Sequence, residues 1–346
     1  MRIAVLGDGS IGNLIGGLLA EIGESVFIVS NDDMHINAIT NQGLWIEGAT
    51  GRSNAKLQAG RQLTTRPDIL LLNTPIAGIT SSLTTYQALL QDVPVLTLQN
   101  SPRAADYAAS VLGTQYILSA AVLFGATVTA GHINYPVEGS MLVGEPFEST
   151  GFAEPIVTLL NSVVPTIYVD NIRGAHWTRL ITSLHHGFAA ATGQTAAQAA
   201  EDTTLRTLSV DVMKEAADLT QQKGIQLLSL PELPPINKII SILHMPSPVS
   251  DIIPRMLSKI GREEFAAELI VSGLLREGGS IVDHLNGEII QLSKELGVHA
   301  PYNSTVVKVI KDIANTGKLL TPTQLLATVE AEALSALDSV PQNQAA

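Results

Sequence analysis

The chain reads as an α/β protein in two parts, a parallel-sheet domain followed by an all-α domain. Three features predict this. A glycine-rich turn, Gly7-Asp8-Gly9-Ser10-Ile11-Gly12, separates a short apolar run from a helical pattern at the N-terminus. Apolar runs of buried-strand type recur up to Val169. From Trp177 onward helical periodicity takes over, punctuated at Pro231 to Pro235, Pro246 to Pro254 and Gly278-Gly279.

Ile3-Ala4-Val5-Leu6 is the first strand, and it stops at the turn. Ile11, Ile15, Leu18, Leu19 and Ile22 then recur at helical spacing, so one helix face packs on the sheet until Gly23 ends it. Ser25 to Val29 is the second strand. Strand, G-x-G-x-x-G turn, helix and strand make a βαβ unit of the Rossmann dinucleotide-binding kind. Gly7 permits the turn, Gly9 lets a pyrophosphate approach the backbone, and Gly12 allows close helix–strand contact. Ser10 and Ile11 open the helix and offer unpaired N–H groups to the anion. The runs Asp68 to Asn73 and Val93 to Gln99 are further buried strands whose polar ends, Asn73-Thr74 and Gln99-Asn100, face the ligand crevice of an open α/β sheet. Ile79 to Gln91 is a helix between them. Tyr116 to Gly144 reads as a hairpin extension of the sheet. The change of texture near Asp170 to Gly174 divides the chain into a Rossmann domain, 1–170, and a helical domain, 171–337, with a frayed tail at 338–346.

Composition narrows the function classes. Thirty-two acidic against 20 basic residues give a net charge of −12, which opposes the counterion-release attraction of nucleic-acid binding. Zero cysteines exclude thiolate catalysis and Cys-ligated metal sites. No metal-ligand spacing stands out, and His185-His186 are adjacent rather than i, i+4. Neither a signal-peptide core nor a membrane-length apolar run is present, so a cytoplasmic protein with no membrane partner is expected. The apolar stretch Ile236 to Leu243 is read as a homodimer contact.

These features, with Leu98-Gln99-Asn100, Trp177-Thr178-Arg179-Leu180, Asp283-His284-Leu285-Asn286-Gly287 and Gly297 to Asn303, make the chain resemble the ketopantoate reductase (2-dehydropantoate 2-reductase) family. The resemblance spans most of the chain. It implies hydride transfer from NADPH to a 2-oxo carbon, with a lysine after the tryptophan acting on the ketone oxygen. The departures fall on that chemistry. Arg179 stands at the lysine position, Ser183 and Gly187 replace two asparagines, and Ile281 replaces a glutamate. The loop 274–280 is short, with Glu277 a candidate replacement for that glutamate. Asn73-Thr74-Pro75 stands where a lysine usually follows the strand.

Arg179, Ser183 and His186 fall at i, i+4 and i+7 on one helix read from Trp177 to Ala190, hence on one face. The proposed division of labour has Arg179 binding the substrate carboxylate and His186 donating the proton that a guanidinium cannot. The alternatives are a surface ion pair for Arg179 and a packed core histidine for His186. Ser272, Asp283 and Asn286 are the remaining substrate-side candidates, the last two alternatively a helix cap. Asn100 is set at the nicotinamide edge, or is a turn former. Ser30 and Asn31, where an NAD-type carboxylate would stand, favour NADP(H), whereas Asp32 and Asp33 would repel a 2′-phosphate and leave NAD open. The expected activity is an NADP(H)-dependent reductase of a small 2-oxo acid. An opine-type dehydrogenase and a cofactor-binding sensor without catalysis are the alternatives.

Overall fold

A computed structural model of the chain describes residues 1–49, 51–148, 151–231, 233–259 and 280–338. Ser272, Glu277, most of the 274–280 loop and the tail beyond 338 lie outside the described residues. The chain forms two compact units, the first ending at His176 and the second beginning at Trp177. The division falls inside a helix, a little beyond the expected position 170.

The first unit is built on an eight-stranded sheet in the order β12-β11-β8-β7-β6-β1-β2-β5. β1 (Arg2–Leu6) pairs parallel with β2 (Ser25–Val29) and β6 (Ile69–Leu72). β5 (Gln58–Gly60), β7 (Val95–Thr97) and β8 (Ile117–Val122) extend the parallel part. β11 (Met141–Gly144) joins β8 antiparallel, and β12 (Thr166–Tyr168) lies parallel to β11. The inner strands β6, β7, β8 and β11 are buried along their whole length, which is why they read as unbroken apolar runs. Ile3 and Val5 face one core with Leu14, Ile15 and Leu19 of helix α1 (Ser10–Glu21). Ala4 and Leu6, on the opposite side of the pleat, face a second core with Ile79 and Leu83.

Tyr116 to Gly144 extends this sheet as an antiparallel pair, β8 with β11, but its middle does not stay in the sheet. β9 (Thr127–Thr129) and β10 (His132–Tyr135) leave it for a four-stranded sheet, β4-β3-β10-β9, shared with β3 (Leu44–Gly48) and β4 (Gly51–Ala55). Helix α1 lies between the two sheets. A Cβ at Gly16 would sit 2.8 Å from Val5, and one at Gly17 2.7 Å from Ile46, so the paired glycines allow close approach on both sides. Ile22, expected on the buried face, caps the helix and is exposed. The helix expected over 79–91 is a 3₁₀ turn (Ile76–Gly78) running into the helix Ile79–Tyr86.

The second unit is all helical among its described residues. Its core gathers Trp177, Phe188, Leu208, Met213, Ile289 and Ile310 around the long helix Thr203–Gln222. Asp202 caps that helix by accepting from the Leu205 N–H at 2.9 Å. The apolar stretch 236–243, expected at an intersubunit contact, belongs to this core: Ile236, Ile239 and Leu243 are buried, and Ile240 and Ile242 pack against it. No helix among the described residues is long and apolar enough to cross a membrane.

Candidate functional site

β1 delivers the chain to Gly7, whose φ of 114° suits glycine. A Cβ there would lie 2.8 Å from the Asn73 and Thr74 backbone, so the space belongs to the neighbouring strand end. Gly9 is the N-cap of α1 and supplies no side-chain cap. Asn73, from the end of β6, takes that part. Its Oδ1 accepts from the Gly12 N–H at 3.1 Å, and its Nδ2 donates to the Gly9 carbonyl. Cβ atoms built on Gly9 and Gly12 would stand 2.6 and 2.5 Å from this amide. Both glycines make room for the Asn73 amide, and Gly16 adds a second close approach of the helix to β1. Of the first helical N–H groups, which have no carbonyl partner within a helix, Gly12 is engaged by Asn73. Those of Ser10 and Ile11 remain directed out of the helix end.

A second clamp was not foreseen. His35 is buried, and its Nδ1 accepts from the Gly131 N–H at 2.9 Å, which leaves the proton on Nε2 to donate to Asn13 Oδ1 at 3.1 Å. Asn13 Nδ2 in turn donates to the Gly9 carbonyl at 2.7 Å. Burial pushes the His35 pKa down, with Asp8 and Asp32 opposing, so the ring stays neutral and the relay stays intact.

At the carboxyl ends of the strands lies a cavity of about 620 Å³ lined by Gly7, Ser30, Asn31, Arg61, Thr74 and Tyr86, among others. The Ser30 Oγ accepts from the Asp32 N–H at 3.0 Å, and the Asn31 N–H donates to Asp8 at 3.3 Å. Neither aspartate set against a 2′-phosphate is uncommitted. Asp32 caps the next helix through the Met34 N–H at 2.8 Å, and Asp33 forms an ion pair with Arg61. Arg61 was missed by sequence reasoning, because only the pairing of β2 with β5, sealed by the Ser30 N–H to Gly60 carbonyl bond of 3.0 Å, brings it here.

Asn100, expected to meet the nicotinamide, is otherwise engaged. Its amide pairs both ways with the Val122 backbone, donating at 2.9 Å and accepting at 2.8 Å, so it ties β7 to β8. Gln99 donates to the Leu72 and Thr74 carbonyls. Three buried side-chain atoms along this edge, Asp8 Oδ1, Thr74 Oγ1 and Gln99 Oε1, have no hydrogen-bond partner among the described residues. Buried polar atoms are nearly always paired, so a row of three at strand ends marks a place for a polar ligand. Together with the glycine cradle and the cavity, it fits a dinucleotide.

In the second unit, Arg179 is buried and donates from Nη1 to Ser183 Oγ at 3.1 Å, as the i, i+4 spacing predicts. His186 does not continue that face. The helix Ile172–Ser183 ends before it, and a new helix, His186–Thr192, begins with His186. The hydroxyls of Thr182 and Ser183 take back the carbonyls of Thr178 and Arg179 at 3.1 and 2.8 Å, which weakens the helix where it breaks. His186 is fully buried, and burial, with the neighbouring His185 and Arg179, holds its pKa well below the usual histidine value. It is a neutral ring at physiological pH, which corrects the expectation of a donor titrating near 6.5.

Asp283 and Asn286 also part company. A short helix ends at Asp283 and the next starts at Asn286. Asp283 is half-exposed and pairs with Lys311 at 2.7 Å. Asn286 is buried and donates to Asn303 Oδ1 at 2.9 Å. Asn303 donates to Glu215 at 2.7 Å, and Glu215 also accepts the backbone N–H groups of Tyr302 and Asn303 that open the helix Pro301–Thr316. Burial pushes the Glu215 carboxyl up to about 7 against these hydrogen bonds. Asn286 Oδ1 ends the chain with no partner among the described residues. Glu215 gave no signal in the sequence, since its partners are 87 and 88 positions away.

Residues 3–147 match the family model described as ketopantoate reductase PanE/ApbA. The chain is 27% identical over 320 residues to a 2-dehydropantoate 2-reductase of Pyrococcus horikoshii, a match that covers 90% of this chain and 97% of that protein. Among solved structures, a PanE/ApbA family ketopantoate reductase from Ralstonia eutropha superposes with a TM-score of 0.76 at 24% identity, over 91% of this chain and 99% of the other. D-mandelate dehydrogenase with NADH and anilino(oxo)acetate superposes with a TM-score of 0.77 at 18% identity, over the same shares. At these identities the solved structures establish the fold, a Rossmann unit with a helical unit.

Proposed function

We propose, on the premise that the chain is a divergent member of the ketopantoate reductase family, that it uses NADPH to reduce a small 2-oxo acid, 2-dehydropantoate or a related compound, to the 2-hydroxy acid. The observation that carries this reading is the crevice of the first unit, where a glycine cradle, a cavity and three unpaired buried polar atoms share the carboxyl edge of a parallel sheet. When bound there, the cofactor supplies the hydride for the ketone carbon. The N–H groups of Ser10 and Ile11 hold the pyrophosphate, and the clamps of Asn73 and His35–Asn13 keep the turn in shape for it. Arg179, oriented by Ser183, binds the carboxylate of the oxo acid, a task suited to a planar and permanently charged fork. Asn286 offers Oδ1 to a hydroxyl of the substrate.

Burial keeps His186 neutral, and a guanidinium is in general a poor proton donor, so the forming alkoxide takes its proton from water. The same observation favours a second reading, a protein that binds the cofactor without turning it over. Equilibrium titration with NADPH and steady-state assays with 2-dehydropantoate, pyruvate and benzoylformate separate the two. The reductase reading expects turnover with at least one of these acids. It also expects Arg179→Ala to raise KM about 10-fold or more, the loss of a charge-assisted contact. Tight NADPH binding with no turnover on any 2-oxo acid supports the second reading.

A further inference from the structure

We infer that Arg61 is the residue that selects a 2′-phosphorylated dinucleotide, supplied from β5 rather than from the end of β2. The inference rests on the dinucleotide reading above and concerns a phosphate monoester on the adenosine ribose. In a Rossmann unit the ribose of the adenosine half lies at the end of the second strand. There a carboxylate binds the free hydroxyls, or a nearby arginine accommodates the 2′-phosphate. Here the strand end presents Ser30 and Asn31, with no carboxylate and no cation of its own. The two acids that follow are committed, Asp32 to the helix N-terminus and Asp33 to Arg61.

Arg61 lines the same cavity as Ser30 and Asn31. Its place is fixed because the preceding residue, Gly60, accepts the Ser30 N–H. Among the described residues its guanidinium bonds only Asp33, through Nη2, so most of its fork is available to a second anion. The pair with Asp33 is weak competition, since both side chains are more than half exposed and such pairs are strongly screened. A phosphate dianion offers more charge and a bidentate geometry. Asp33 therefore competes with the phosphate only mildly.

The test is calorimetric titration of the full chain with two fragments, 2′,5′-ADP and 5′-AMP, which differ only in the 2′-phosphate. The wild type is expected to prefer 2′,5′-ADP about 10- to 100-fold, the range of one charge-assisted contact. Arg61→Gln should bring that ratio close to one. Arg61→Lys should restore part of it, because a point charge replaces a fork. Asp33→Asn should leave the ratio equal or higher. Binding of 5′-AMP with no preference for 2′,5′-ADP in the wild type, or an unchanged ratio in Arg61→Gln, overturns the assignment of Arg61 while leaving the dinucleotide site intact. Failure of the wild type to bind either fragment overturns the dinucleotide reading, and the assignment with it.

Discussion

The two units solve the same problem, holding polar groups in a packed interior, by different means. In the first, the site is made mostly of backbone: a turn without side chains, helix N–H groups and strand ends, secured by the amides of Asn73 and Asn13. In the second it is made of side chains, Arg179 with Ser183 and Asn286 with Asn303 and Glu215, carried on separate helices. A backbone site tolerates almost no added atom but holds few groups whose charge can change. A side-chain site adapts to added volume but carries ionisable groups at a cost set by burial.

The largest expected effect sharpens that contrast. Gly7→Val meets both a φ of 114° and the rigid backbone of Asn73 and Thr74, so denaturant unfolding should show a loss of about 3 kcal/mol or more. Gly187→Ala in the second unit pushes against a methyl of Val306. Repacking should hold its loss to about 1–3 kcal/mol. Equal losses would remove the distinction.

Acid and base should also act on the units in opposite directions. Glu215 takes up its proton near pH 7 when folded and near 4.5 when unfolded. Between those values the folded state binds more protons, and stability falls as pH rises, by about 3 kcal/mol over the window. Glu215→Gln should flatten that slope. In the first unit His176, fully buried and bonded to Ser119 at 2.8 Å, is lowered from 6.5 to about 4. There the unfolded state binds more protons, so its contribution to stability rises with pH from about 4 to 6.5. His176→Asn should remove that rise. Urea unfolding of both variants across pH 4 to 8 reads the two slopes separately, and a Glu215→Gln profile parallel to the parent would refute the assignment.

The smallest effect is expected at Asn73. Asn73→Ala removes two hydrogen bonds to the turn and should cost about 1–2 kcal/mol. It should also weaken NADPH binding severalfold by loosening the cradle. Unaltered affinity with reduced stability would make the clamp purely structural.

What the sequence disclosed follows the same division. The first strand, turn, helix and second strand lie within thirty consecutive residues, and local periodicity with glycine spacing is enough to read them. The same locality gave Arg179 with Ser183. Features that depend on distant pairing were illegible: the second sheet joins β3 to β10, Arg61 reaches the cavity through β2–β5 register, and Asn73 enters the turn from another strand. The break after Ser183 was hidden because the periodicity of Arg179, Ser183 and His186 persists on paper where hydroxyls reclaim the helix carbonyls. Asn100 carried the right residue type at the right strand end, and only the neighbouring strand shows that its amide is taken by Val122.

The central claim is that the first unit's crevice holds a nicotinamide dinucleotide used to reduce a 2-oxo acid. It is tested most directly by a single-turnover experiment. Protein saturated with NADPH is mixed rapidly with 2-dehydropantoate, pyruvate or benzoylformate, and the reduced nicotinamide absorbance is followed. The account predicts exponential loss of that absorbance with at least one acid, at a rate that does not fall as pH is raised from 6 to 8, because no histidine donates the proton. Persistence of the absorbance with every acid would contradict it.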